Sequence, residues 1–321
     1  MKKFWNRMGL YLILICFVTV AVNAQSLIPG GQVIGLELAD NTVTVAAFDD
    51  QLGADAKQAG LKVGDQILSV NGKAVHTTAD VRYALLRSDG MVELTVKRNK
   101  KSDTLRFSPA VTPDGPKLGV YLKQGVTGIG TVTFYDPETK KFGTLGHGVN
   151  NPRGELLQMV SGNAYRANVV SVRKGVSGNP GQLMGTLRDS KPIGALYKNT
   201  ARGIFGTSET GWEGALMEVA TAKDVCTGPA TIRSTVTGDG VQEYSVEILK
   251  VYPSTGATGR NILLKITDPA LLEATGGIVQ GMSGSPIIQN GKLIGAVTHV
   301  LVNDPTTGYG IFIENMLDAA A

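Results

Sequence analysis

The stretch Gly281-Met282-Ser283-Gly284-Ser285-Pro286 decides how this chain is read. A serine between glycines, with proline three residues on, suits a side chain presented on a tight turn. Glycine removes the Cβ that would keep another backbone or a ligand at a distance. Such a turn can aim the N–H groups of Gly281 and Ser283 at one point, where developing negative charge would be held. The following Ile287-Ile288-Gln289-Asn290-Gly291-Lys292-Leu293-Ile294 is apolar strand, Asn-Gly turn, apolar strand, a strong hairpin signal.

Working outward, G-x-S-G-x-P ahead of a hairpin resembles the nucleophile segment of chymotrypsin-like serine proteases. A serine hydroxyl needs an adjacent base, and histidine is the usual one because its ordinary pKa lies near neutrality. His147, in Gly143-Thr144-Leu145-Gly146-His147-Gly148-Val149, stands 136 positions (283 − 147) before Ser283. That separation suits a base on one small β-barrel meeting a nucleophile on the next. His299, in Val297-Thr298-His299-Val300, follows the nucleophile hairpin, and Thr298 and His299 are expected to line the substrate cleft. A carboxylate should orient the base. Asp268 lies 15 residues before Ser283, and Asp189 lies 42 residues after His147. Spacing favours Asp189.

Composition agrees with many short strands. The chain has 321 residues, 41 of them glycine, with few aromatics and short apolar runs, enough for about two domains. Charge points away from nucleic acid: the formal net charge is +4, and Lys2, Lys3 and Arg7 account for three of it. Residues 1–24 have a basic start, an apolar run from Met8 to Val22 and the small-x-small Val22-Asn23-Ala24. This reads as a signal peptide or N-terminal anchor and implies export. Beyond it Cys226 is the one cysteine, so no intrachain disulfide forms, and a nucleophilic role for it is the weaker reading. Three scattered histidines predict no metal site, and no cofactor is expected.

Residues 25–110 read as a small α/β unit. Ala59-Gly60-Leu61-Lys62-Val63-Gly64-Asp65-Gln66-Ile67-Leu68-Ser69-Val70-Asn71-Gly72-Lys73 closely resembles the PDZ domains of bacterial proteases. The resemblance implies a groove in which a peptide adds as a strand and its C-terminal carboxylate meets backbone N–H groups. Gln32-Val33-Ile34-Gly35 is assigned to the carboxylate loop, and Val81 and Leu85 to the groove face of the second helix. His76 reads as a solvated loop residue. The proline-rich run from Ser108 to Pro116 marks a linker over 111–117. Residues 118–321 read as an all-β unit, strands cut by glycines about every ten residues. The expected fold is thus mainly β: an N-terminal PDZ domain followed by a chymotrypsin-like double β-barrel.

Further motifs sharpen the resemblance. Thr267-Asp268-Pro269, Gly276 through Pro286, Gly295 through Val300, Asn303-Asp304-Pro305-Thr306, Phe134 through Thr139 and Leu145-Gly146-His147-Gly148 are similar to the stage IV sporulation protein B family. These are exported PDZ serine peptidases of endospore-forming bacteria. The resemblance implies His147 and Ser283 as catalytic pair, with Asp268 rather than Asp189 as third member. It implies self-cleavage near the N-terminus and cutting of a membrane-bound regulator of an intramembrane protease that matures a late sigma factor. The place would be the space between forespore and mother-cell membranes, with membrane contact only through the N-terminal segment. The alternative from another class is a PDZ-based signalling adaptor on a catalytically idle scaffold.

Overall fold

The computed structural model describes residues 25–152, 154–238, 240–253 and 259–321; the expected signal segment lies outside them. In chain order the strands are β1 (Ser26–Pro29), β2 (Val33–Phe48), β3 (Gln66–Val70), β4 (Lys73–Ala74), β5 (Val92–Arg98), β6 (Lys101–Phe107), β7 (Ala110–Thr112), β8 (Gly115–Lys117), β9 (Val120–Tyr135) and β10 (Lys141–Thr144). They continue as β11 (Ser161–Arg173), β12 (Gln182–Thr200), β13 (Gly203–Thr207), β14 (Met217–Glu218), β15 (Gly228–Ser234), β16 (Gln242–Val251), β17 (Ile262–Ile266), β18 (Pro286–Gln289), β19 (Lys292–Leu301) and β20 (Asp304–Phe312). Four short helices accompany them: α1 (Ala54–Gln58), α2 (Thr78–Leu85), α3 (Pro269–Thr275) and α4 (Ile313–Ala320).

Two closed barrels of six strands form the protease unit. In the first, β9, β10, β13, β12, β11 and β2 pair in that order, and β2 with β9 closes the ring. In the second, β15, β16, β17, β20, β19 and β18 close on themselves. Each has its own apolar filling. Ile34, Leu36, Phe142, Leu157 and Ile204 pack in the first, and Val246, Ile266, Ile287, Val297 and Phe312 in the second. Strand alternation turns the strand residues among these into the barrels, and Leu157 enters from the segment before β11. The Asn290-Gly291 turn joins β18 to β19 as expected, both residues at positive φ.

The PDZ unit is an insertion in the first barrel, which corrects the expected boundary at residue 25. β1 pairs with β14 and with the far end of β9, and Val33–Leu38 of β2 pair with β9 and β11. The PDZ fold proper starts near Val43, where β2 begins to pair with β3. β3, β5 and β6 extend that sheet, and α2 covers it through Val81, Ala84 and Leu85. Thr77 and Asp80 form a reciprocal capping box at the start of α2, which fixes where the helix begins. The expected linker 111–117 is instead the β7–β8 hairpin, leading directly into β9.

Both connections between the units are strands. β2 and β9 pair as Val33–Leu38 with Val126–Thr131 inside the barrel. They pair again as Val43–Phe48 with Val120–Gln124 inside the PDZ unit. Between the two stretches the register breaks in a bulge at Ala39–Thr42, held by the Asp40 carboxylate accepting from the N–H and hydroxyl of Thr42.

Candidate active site

The two barrels meet around β9. Thr131 and Thr133 sit on one face of this strand, both fully buried. Thr131 Oγ1 donates to Gly281 O (2.8 Å) and its N–H to Ser283 O (2.9 Å), while Thr133 Oγ1 donates to Gly284 O (2.8 Å). From the other side Gly284 N–H donates to Val297 O at 2.7 Å. The four-residue turn Gly281–Gly284 is thus gripped by strands of both barrels, each bond stabilising by about 1 kcal/mol.

The glycines of the turn are required by space and dihedral together. Gly281 has φ +100° and Gly284 φ +96°. A Cβ on Gly284 would lie 2.0 Å from Thr131 O and 2.5 Å from Leu145 N. The nucleophile turn therefore rests directly on the backbone that leads to His147. That backbone is itself bent: Leu145 and Gly146 both have φ +67°, an uncommon conformation for leucine. A Cβ on Gly146 would meet Thr298 Cγ2 at 2.8 Å. Turn, histidine loop and β19 are in mutual contact.

Ser283 Oγ donates to Thr298 O at 2.9 Å, not to a histidine. The His147 ring lies beside that of His299, centroids 5.2 Å apart and planes tilted by 42°. His147 Nδ1 is 2.9 Å from Gly148 O. A carbonyl only accepts, so Nδ1 carries the proton and the Nε2 lone pair stays open. Burial holds the His147 pKa below its ordinary value, against a smaller opposing effect of the Gly148 carbonyl. Burial thus favours the neutral form of His147, the one a base needs. Burial, the neighbouring His147 and the Arg260 guanidinium bring His299 down to about 4. The N–H groups of Gly281 and Ser283 have no acceptor among the described residues. They are available for an oxyanion.

Ser283, Gly281, Thr298, His299 and His147 therefore come together; Asp268 does not join them. It is the N-cap of α3: Oδ1 accepts from Leu271 N–H (3.0 Å) and Oδ2 from Ser245 N–H (3.3 Å), with Pro269 at the first helical position. Leu263, which lies across β20 from His299, is five residues away along β17, on the order of 15 Å of strand. Asp189 is exposed and accepts from Lys191 N–H. No carboxylate among the described residues pairs with His147. Asn199 holds the segment after His147, through Val149 N–H, Val149 O and Leu157 O. Cys226 is exposed and bonded to Gln289, not to a base.

The peptide groove is also corrected. Gln32–Gly35 lie in or beside the first barrel, where Val33 pairs with Thr131 and Gln32 O accepts from Val132 N–H. They cannot form a carboxylate loop against α2. Val81 and Leu85 do face a groove, of about 500 Å³, but its other wall is Pro116, Leu118, Val120 and Leu122. Along Val120–Gln124, β9 pairs on one side with β2 and leaves its other edge open toward α2. This is the free edge that strand addition uses. Leu118-Gly119, with Gly119 at φ +71°, follows Lys117 at its end. That turn occupies the place expected of the carboxylate loop.

The family model of SpoIVB peptidase S55 matches residues 115–317, and that of the PDZ domain matches residues 53–98. A PDZ domain structure of the SdrC-like protein from Listeria monocytogenes shares 21% identity over 26% of this chain and 87% of that one, with a TM-score of 0.22. The Rv3671c protease in an inactive form shares 14% identity over 60% of this chain and 82% of that one, TM-score 0.36. The Ser343Ala mutant of Rv3671c from M. tuberculosis, also in an inactive form, gives 14%, 60%, 79% and 0.34. A Rhizobium meliloti (strain 1021) protein named as a candidate zinc metalloprotease is 32% identical over 100 residues. The match covers 31% of this chain and 26% of that relative, so the chain spans about a quarter of its length. Among the described residues no His/Cys/Asp/Glu group could hold a metal ion.

Proposed function

Because the chain belongs to the SpoIVB peptidase S55 family, a family of serine peptidases, we propose that Ser283 is its nucleophile and His147 its general base. The observation that carries this reading is the seating of the Gly284 turn on the Leu145 backbone, which brings the two residue types to one place. Ser283 Oγ–H leaves the Thr298 carbonyl and gives its proton to His147 Nε2. Oγ attacks the peptide carbonyl, and its oxygen takes the negative charge toward the N–H groups of Gly281 and Ser283. His147 then returns the proton to the departing amine, and water repeats the cycle on the acyl-enzyme. Thr298 and His299 border the cleft.

The wider role follows the family: an exported endopeptidase of sporulation signalling that cuts itself and a membrane-associated regulator. The groove between α2 and β9 would recruit a C-terminal peptide of such a partner. Mass spectrometry of the full chain and its Ser283→Ala form, each incubated with an organophosphonate probe, tests the chemistry. An adduct on Ser283 and N-terminal truncation in the parent alone are expected. An adduct that persists in Ser283→Ala overturns the assignment.

A further inference from the structure

The segment that leads into β17 borders the cleft. A Cβ at Gly259 would lie 3.3 Å from Ile311 Cδ1 and 3.8 Å from Gly146 O, so this glycine abuts the histidine loop. Asn261 N–H donates to Gly310 O at 2.8 Å, and Tyr252 N–H donates to Asn261 O at 2.7 Å, which ties the backbone on the other side of Arg260. Arg260 is exposed, and its guanidinium lies over the Tyr309 ring, 5.3 Å from the centroid. Such stacking holds a planar cation without neutralising it. Tyr309 stands directly opposite His299 on β19, and cross-strand partners project from the same face. The His299 ring in turn lies 5.2 Å from that of His147, and Thr298 O holds the hydroxyl of Ser283. Arg260, Tyr309, His299 and His147 thus line one continuous surface beside the nucleophile.

Each step along this surface is about 5 Å, so the guanidinium is within about 15 Å of the His147 ring, the length of about four residues of extended peptide. No carboxylate among the described residues pairs with Arg260. Arg98 and Arg106, by contrast, are matched by Asp65 and Glu93. We propose that Arg260 is a specificity-determining residue of this peptidase: its guanidinium, seated on Tyr309, pairs with the carboxylate of a substrate glutamate or aspartate within about four residues of the scissile bond. The inference rests on the reading of Ser283 and His147 as the catalytic pair. β18 and the nucleophile turn pair with β19 as far as Val297. The edge that follows, residues 298–301, takes among the described residues only the Ser283 hydroxyl, on Thr298 O. That open edge can carry the substrate as an added strand, which presents every second side chain to one face. His299 adds no charge there, because burial, His147 and Arg260 bring its pKa down to about 4. At neutral pH the cation of this surface is therefore Arg260, and the fork of a guanidinium fits a carboxylate through two parallel N–H groups.

The test is cleavage of a peptide library, a chymotryptic digest of a bacterial proteome, by the full chain, with the cut sites read by mass spectrometry. Arg260→Gln, Arg260→Glu and Ser283→Ala are compared with the parent, alongside thermal unfolding midpoints. The expected result is a preference of about fivefold for Glu and Asp over Gln and Asn at one position within about four residues of the cut, the upper range for a solvent-exposed ion pair. The preference disappears in Arg260→Gln and turns to Lys and Arg in Arg260→Glu. Two synthetic peptides of the best-cut sequence, differing only as Glu and Gln at that position, then separate KM from kcat. The glutamate peptide is expected to have the lower KM at about 0.1 M salt, and its advantage to shrink at about 1 M. A parent without acidic preference at any of these positions overturns the proposal, as does a preference kept in Arg260→Gln. So does a loss in Arg260→Gln that is equal for the two peptides, which is what a merely structural residue would give. Should either variant at 260 fail to fold, the other decides. A parent that cuts nothing, or is matched by Ser283→Ala, refutes the catalytic pair and the proposal with it; a parent that depends on Ser283 and is indifferent to acids refutes the proposal alone.

Discussion

Replacing Gly284 by alanine tests whether the contact between turn and histidine loop assembles the site. Two effects add. The φ of +96° disfavours any L side chain by about 1–2 kcal/mol. The new Cβ would also stand 2.0 Å from Thr131 O and 2.5 Å from Leu145 N, both backbone atoms. Relieving that overlap costs a further 1–3 kcal/mol or so, as overpacking does. The sum is about 2–5 kcal/mol. Gly291 is the control: its φ is +74°, but no atom lies within 4 Å of its Cβ position. Gly291→Ala should therefore cost only about 1 kcal/mol. Thermal unfolding separates them, at roughly 2–4 °C per kcal/mol for a unit of this size. Relief by parting the turn from Leu145 would also displace Ser283 from His147, and a 1 Å error costs on the order of 100-fold in rate. Fluorophosphonate labelling of Ser283 reads this directly. Parent-like labelling in Gly284→Ala, or equal damage from Gly291→Ala, would refute the reasoning.

Three further outcomes are expected. Stability should fall as pH drops from about 6.5 toward 4: both His147 and His299 have folded pKa values below the ordinary 6.5, so the unfolded chain binds the protons first. Allowing for the partial exposure of His299, its share is about 1–2 kcal/mol; urea midpoints at pH 7.5 and 4.5 measure the change, and His299→Phe should flatten it. In the PDZ unit the carboxylate of Asp65, 1% exposed, pairs with Arg98 and accepts from Lys62 N–H. Asp65→Ala should cost about 3 kcal/mol by stranding Arg98, whereas Glu93→Ala, breaking the exposed pair with Arg106, should cost under about 1 kcal/mol by the same urea titration. Val120→Lys should weaken binding of apolar C-terminal peptides at least about tenfold in fluorescence polarisation; undiminished binding would place the peptide elsewhere.

The nucleophile turn, the Asn290-Gly291 hairpin and the Ala59–Lys73 signature were legible because each is written in contiguous residues. The division of β2 was not. Val33–Leu38 and Val43–Phe48 share one alternating pattern, and only pairing with Val126–Thr131 and with Ile67 assigns them to different units. A peptide loop was therefore expected where a barrel wall stands. Asp268 carries its own local signature, aspartate before proline ahead of apolar residues, which marks a helix cap. Thr131 and Thr133 look like ordinary strand threonines, with no local mark of the turn they hold. The approach of His299 to His147 depends on strand β19 of one barrel meeting a loop of the other, and spacing alone carries no trace of it.

The continuous strand β9 also sets a length. Val120 lines the groove and Thr131 holds Ser283, eleven residues further along the same strand. At about 3.3 Å per residue that is roughly 35 Å, less the shortening at the bulge. The strand is doubled by β2, a paired ribbon that cannot fold back on itself as a loose tether could. On the proposed function, one substrate chain anchored by its end in the groove and cut at Ser283 would span that gap. If the proposed groove and nucleophile act on one chain, the molecule would be a ruler: the strand sets an upper limit of about ten extended residues between the anchored terminus and the scissile bond.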